Sequence, residues 1–119
     1  MRFFSEVNGQ LATFQVAPIN KCFVLGGDEK DIQFNCSINY AEIIDTATNW
    51  LRENPGSSFH LTRNNVSNYP RDYEIEGEYN LVIKNVTIHD AIYYECRNSL
   101  QGDKNVIAIA YLMVFGNNY

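Results

Sequence analysis

Asp90-Ala91-Ile92-Tyr93-Tyr94-Glu95-Cys96 is the stretch on which the fold turns. Ile92, Tyr94 and Cys96 alternate with Tyr93, Glu95 and Arg97, the period of two that marks a half-buried strand. The segment also reads D-x-x-x-Y-x-C. Sixty residues upstream, Cys36 falls in a second alternating run, with Ile32, Phe34 and Ile38 on its side and Asp31, Gln33, Asn35 and Ser37 on the other. The single tryptophan, Trp50, follows Cys36 by 14 residues. Leu81 and Ile83 flank Val82, and Ala108, Ala110, Leu112 and Val114 alternate with Ile107, Ile109, Tyr111 and Met113. Turn signals separate these runs at Gly26-Gly27-Asp28, Asn54-Pro55-Gly56, Gly77 and Gly102-Asp103. Short alternating strands between turns predict an all-β sandwich or barrel.

Composition agrees. The 119 residues, 13.7 kDa, suit one domain, with its core over about 12–115. A net charge of -5 and a pI near 4.9 argue against nucleic acid, which needs a basic face. The 45% hydrophobic and 19% charged content is that of a globular chain. Eight Tyr and seven Phe favour β structure. No run of ~20 apolar residues is present, so this segment inserts no span into a membrane. Met1-Arg2-Phe3-Phe4 stops at Ser5-Glu6, too short for a secretory leader, so the chain reads either as intracellular or as a mature domain carrying an added initiator methionine, and the cysteines and sequons favour the second. One segment resists the pattern. Apolar residues at 43, 44, 47, 50 and 51 are spaced as in a helix, which predicts a helical turn near Ala41–Asp45 before a strand carrying Trp50.

The combination of Cys36, Trp50, the D-x-x-x-Y-x-C run and Leu81-Val82-Ile83 resembles the immunoglobulin sandwich, and the match runs from about Ala17 to Phe115. The resemblance implies two antiparallel sheets with Greek-key connections, of variable or intermediate type because 42 residues separate Cys36 from Tyr79. It implies a Cys36–Cys96 bridge between the sheets with Trp50 packed on it and Leu81 in the core. It also implies that the Tyr94 hydroxyl bonds backbone upstream, and that Arg71 and Asp90 form an ion pair closing one end. Strands are expected at about 13–25 (A and A′), 30–38 (B), 47–53 (C), 58–62 (C′), 71–76 (D), 79–84 (E), 92–98 (F) and 105–115 (G). Cys22 is left over. It reads as a free, partly buried thiol, with an intermolecular bridge or pairing with a segment outside this stretch as the alternative.

Three glycosylation sequons begin at Asn35, Asn65 and Asn85. Together with paired cysteines they favour an extracellular compartment. Asn35 points outward because Cys36 points inward. Glycans at Asn35 and Asn85 would cover the A-B-E-D sheet and leave the G-F-C-C′ face free. That free face carries outward Leu51, Tyr93, Glu95, Arg97, Ile107, Ile109, Tyr111 and Met113, and strand G is apolar on both parities. A contiguous apolar patch marks an interaction surface. Asp72, Glu74, Glu76 and Glu78 share one side of strand D. They read as a charged edge that discourages pairing rather than as a metal site. His60 and His89 are the only histidines, and no nucleophile, zinc or phosphate-loop motif occurs. No cofactor, metal or catalysis is expected.

A narrower resemblance rests on Tyr69-Pro70-Arg71, on Gly77-Glu78-Tyr79-Asn80-Leu81-Val82-Ile83, on Tyr93-Tyr94-Glu95-Cys96-Arg97 and on Ala110-Tyr111-Leu112-Met113-Val114. These are similar to the first domain of the irre cell recognition module, the kirre/Neph and nephrin adhesion receptors. The segment Trp50-Leu51-Arg52-Glu53-Asn54-Pro55-Gly56 departs from that family's short turn, and Cys22 has no counterpart there. The resemblance implies a cell-surface module that binds itself or a related immunoglobulin-superfamily receptor through the G-F-C-C′ face. The positions it carries over are Leu51, Phe59, Leu61, Arg97, Ile107 and Ile109. Two other classes use the same fold: a secreted or decoy domain for a soluble protein or carbohydrate, and an intracellular domain of a muscle filament.

Overall fold

The computed structural model describes residues 4–7, 10–40, 47–54, 57–99 and 105–116, and the side chains of 14–38, 48–53, 59–98 and 106–116. The helical turn expected at 41–45 lies outside the described residues.

The first strands are β1 (Phe4–Val7), β2 (Gln10–Val16) and β3 (Lys21–Val24), followed by β4 (Ile32–Phe34) and β5 (Ser37–Tyr40). The middle of the chain holds β6 (Ala47–Asn54), β7 (Ser57–His60), and the short β8 (Thr62–Arg63) and β9 (Val66–Ser67). After them come β10 (Tyr73–Glu76), β11 (Asn80–Ile83), a 3-10 turn at Ile88–Asp90, β12 (Tyr93–Ser99) and β13 (Asn105–Phe115). One layer is the five-stranded sheet β3-β13-β12-β6-β7. The other is built from β10-β11-β4 and β1-β2-β5, which meet where the strand expected at 30–38 breaks into β4 and β5 at Asn35-Cys36. At that break the Cys36 N–H donates to Asn80 Oδ1 at 2.9 Å in place of a ladder bond.

The chain before Cys36 departs from the expected strand over 13–25. Strand β2 pairs antiparallel with β5, whereas β3 pairs parallel with β13 in the opposite layer. Pro18, buried in the link between them, has no N–H to continue a ladder, so the chain leaves one sheet there and joins the other. Asn20 Oδ1 accepts from the Tyr111 N–H at 2.7 Å and fixes the crossing. Strand β1 was not anticipated. Val7 pairs with Gln10 across Asn8-Gly9, and Asn-Gly between two strands is the strongest short hairpin signal, so the sequence did carry it.

The core lies between the layers. Cys36 and Cys96 are bridged with Cα atoms 6.6 Å apart, an ordinary disulfide span. Trp50 stands opposite Cys96 in the β6–β12 register, is fully buried, and donates from Nε1 to the Tyr79 carbonyl at 2.7 Å. The Phe34 ring lies 6.2 Å from that of Trp50 and 5.5 Å from that of Tyr94. Leu81, Ile83, Leu61 and Leu112 complete the same cluster. The Tyr94 hydroxyl donates to the Asp90 carbonyl at 2.7 Å, four residues upstream, as the resemblance implied. Burial holds that phenol protonated far above its ordinary range.

The ion pair closing this end is not the expected one. Asp90 pairs with Arg52 at 3.4 Å, whereas Arg71 is exposed in the turn before β10. The reason is parity. Arg52 lies two residues after Trp50 and opposite Tyr94, so it points between the sheets. An inward guanidinium needs acceptors, and Arg52 finds Asp90, the Tyr73 hydroxyl at 2.8 Å and the His89 carbonyl. Asp90 also closes a capping box with Thr87, accepting from the Thr87 N–H at 2.8 Å.

Candidate interaction face

The outward side of the five-stranded sheet is set by alternation along β13. Val106, Ala108, Ala110 and Leu112 are buried, while Ile109 and Met113 are exposed and Ile107 and Tyr111 half-buried, as the sequence parity required. The parallel register sets Cys22 beside Met113 and Val24 beside Phe115, all four exposed. Tyr93 of β12 lies opposite Tyr111, their ring centroids 4.7 Å apart. Val24, Tyr93, Ile109, Met113 and Phe115 therefore present large apolar side chains on one face, with exposures from 42% at Met113 to 63% at Val24.

Toward β6 the same face becomes polar and closed. Glu95 lies between Ile109 and Leu51 in the register and is only 3% exposed. Its Oε2 accepts from Arg97 Nε at 2.5 Å. Burial pushes the Glu95 carboxyl above its ordinary value, neighbouring Arg97 pulls it down, and Glu53 pushes it up again. Leu51, expected as an exposed anchor, is 2% exposed. It lies outside the core cluster, on the outer face, between Glu95 and His60 in the register. Its register partners on that face are Glu95 and His60, and long polar side chains beside a central strand position can cover it with their stems.

Phe59 and Leu61 face the other way from what was expected. Phe59 is opposite inward Arg52, so it too points between the sheets, and Leu61 is a fully buried core residue. The exposed residue between them is His60. Arg97 is half-buried beside Glu95, and Ile107 is half-buried opposite it in the register. Val24 and Phe115 were missed. The signal was the parity of strand G carried one step further, together with an A′ strand laid beside it.

Asn35, Asn65 and Asn85 are all exposed. Asn35 and Asn85 flank β4 and β11, in the opposite layer from the apolar face. Asn85 takes a left-handed backbone, φ 50°, which asparagine tolerates well, and its N–H donates to Asp31 Oδ1 at 2.9 Å. Asn65 sits in the turn joining β8 and β9. Cys22 is exposed rather than partly buried, because β3 turns it to the outer face beside Met113. Asp72, Glu74, Glu76 and Glu78 are exposed on strand β10 and its ends, and Glu74 pairs with Lys84 at 3.0 Å. Among the described residues no group of His, Cys, Asp or Glu is arranged to hold a metal ion.

No protein-family model matches the chain, and no curated protein matches it. Solved structures do. The chain is similar to the complex of Dpr1 IG1 bound to DIP-eta IG1, at 19% identity and a TM-score of 0.69, over 87% of this chain and 94% of that one. It is similar to the RIG-5 IG1 homodimer, at 20% identity and a TM-score of 0.69, over 87% of this chain and 96% of that one. It is also similar to the N-terminal Ig1-2 module of the Drosophila receptor protein tyrosine phosphatase DLAR, at 20% identity and a TM-score of 0.66, over 90% of this chain and 50% of that one. The two layers, the Cys36–Cys96 bridge and these likenesses define an immunoglobulin fold.

Proposed function

We propose that this chain is an extracellular adhesion or recognition module that binds a second immunoglobulin-type domain, its own copy or a relative, through the β3-β13-β12 part of its five-stranded sheet. The observation that carries the reading is the apolar face itself. Val24, Tyr93, Ile109, Met113 and Phe115 are exposed together on one sheet surface that bears no sequon. Burying such side chains contributes about 25 cal/mol per Å² before the costs of association. The Cys36–Cys96 bridge supports an oxidising compartment. Sequons at Asn35 and Asn85 leave this face unguarded and would shield the other. Two of the similar structures are pairs of IG1 domains, one of them a homodimer, which supports a flat partner of the same fold. The sequence resemblance to the kirre/Neph and nephrin first domains is in keeping with a partner of the same fold, although its C and C′ positions Leu51, Phe59 and Leu61 are turned away from solvent here. The reading is of a binding module without catalysis.

Ile109→Asp tests it. The side chain is exposed, so the variant should be secreted with its disulfide and circular dichroism unchanged. Covering the new carboxylate with apolar surface costs several kcal/mol if it is unpaired. Sedimentation equilibrium for self-association, and binding to cells displaying related domains, should both fall by at least about tenfold, or ~1.4 kcal/mol. A variant that folds and binds as the parent does, or a partner that maps to the opposite layer, overturns the reading.

A further inference from the structure

A pocket of about 310 Å³ is lined by Arg52 of β6, Phe59 of β7, and Tyr69, Asp72 and Tyr73 at and before the start of β10. Its volume is at the small end for ligand sites. Three rings stand in sequence at near right angles. Phe59 and Tyr69 are 6.1 Å apart at 80°, and Tyr69 and Tyr73 are 6.4 Å apart at 72°. The turn before β10 sets the last two sides. Asp72 and Tyr73 both donate their N–H groups to the Tyr69 carbonyl at 2.9 Å, which brings Tyr69 and Asp72 to the same opening.

The polar groups decide what such a pocket accepts. Arg52 uses three of its four Nη donors on Tyr73, Asp90 and His89, and its Nε is buried. Its charge is matched by Asp90. Asp72, by contrast, has no ion-pair partner among the described residues. The opening therefore offers aromatic faces, a phenol and an acceptor-only carboxylate, with one negative charge in excess. A neutral sugar could donate hydroxyls to Asp72 but would leave its charge uncompensated. An anion would meet Asp72. Perpendicular aromatic rings with a carboxylate are the surroundings that hold an organic cation.

We propose that this pocket is a binding site for a compact alkylammonium group, seated on Phe59 and Tyr69 over the buried ring of Tyr73, with Asp72 as its counter-charge. The site is independent of the apolar face and lies at the other edge of the same sheet, so it stands whether or not that face binds a partner. Either a free quaternary amine or a lysine side chain of a peptide supplies this chemistry.

The test is a titration of the whole chain, followed by the aromatic resonances of Phe59, Tyr69 and Tyr73. Three probes are used: choline, N-acetyl-lysine methylamide, and 3,3-dimethylbutanol as the uncharged isostere of choline. The proposal expects choline or the lysine amide to shift these resonances and the isostere to bind roughly tenfold more weakly. Tighter binding of choline assigns the site to free quaternary amines, and tighter binding of the lysine amide assigns it to peptides. Tyr69→Ala and Asp72→Asn, both at exposed positions, should each weaken the better probe about fivefold to tenfold while leaving the amide spectrum of the core unchanged. Equal binding of the isostere overturns the proposal, because it would make the pocket merely apolar. Absence of any shift, or full binding to Asp72→Asn, overturns it as well.

Discussion

Arg52 and Asp90 show how much a single side chain's direction decides. Both are largely buried at one end of the sandwich, and Asp90 additionally caps the turn after Thr87. Removing one partner leaves the other charge buried without compensation, which costs about 3–5 kcal/mol when burial is complete and less here, where some solvent reaches both. Arg52→Ala should therefore lower the free energy of unfolding by about 2–3 kcal/mol in urea titrations, whereas Arg71→Ala, at an exposed turn, should change it by less than ~0.5 kcal/mol. Glu95 makes the reverse argument. Its carboxyl is raised above the ordinary value by burial, so the folded chain holds that proton more tightly than the unfolded chain. Its contribution is full below the unfolded value of about 4.3 and is lost as pH rises through the higher folded value. Glu95→Gln should thus gain stability relative to the parent as pH rises from the unfolded carboxylate value toward neutrality. Urea midpoints that fail to diverge over that range would show that Arg97 compensates the charge fully.

At the scale of elements, edges and crossings matter most. Strand β10 ends its sheet, and its outward residues Glu74 and Glu76 are exposed carboxylates. Charge on an edge strand blocks pairing with another chain. Glu74→Val with Glu76→Val should leave the monomer folded, since β-branched residues suit a strand, but raise light scattering during refolding. Unchanged scattering would mean that the edge is protected by something other than charge. The opposite edge is managed differently. There β3 leaves β2's layer at Pro18, lies parallel to β13 and becomes the edge strand of the five-stranded sheet, and its outer residues Cys22 and Val24 extend the apolar face of β13.

For the whole molecule, the Cys36–Cys96 bridge is the largest single constraint. It closes a loop across a separation of 60 residues, worth about 4 kcal/mol in the chain-entropy account. Cys36→Ala with Cys96→Ala should lower stability by about 2–5 kcal/mol, measured by guanidinium titration, with a larger loss if Trp50 then packs poorly against the gap. A loss below ~1 kcal/mol would mean that the unfolded chain is already compact enough to bring the two ends together. The molecule keeps its two layers chemically distinct: the exposed asparagines Asn35 and Asn85 border one, and exposed apolar side chains lie on β3, β12 and β13 of the other.

What the sequence determined by itself was everything set by a period of two along one strand. The inward set of β13, the placement of Cys36, Trp50, Leu81, Tyr94 and Cys96 in the core, and the outward Asn35 and Ile109 all follow from alternation around an anchor. Strand bounds for G were legible to the residue, because Asn105–Phe115 alternates without interruption. The tertiary structure alone decided what depends on two strands meeting. The register of β6 against β7 turned Phe59 and Leu61 inward, and the parallel crossing of β3 placed Val24 on the face. Leu51 and Glu95 were buried on an outward face by their neighbours, which parity cannot foresee. Asp90 had two arginines to choose from, and only the packing of the sheets put Arg52 within reach. Alternation is a property of one chain segment, whereas burial and pairing are properties of distances between segments, and these exist only once the sheets are stacked.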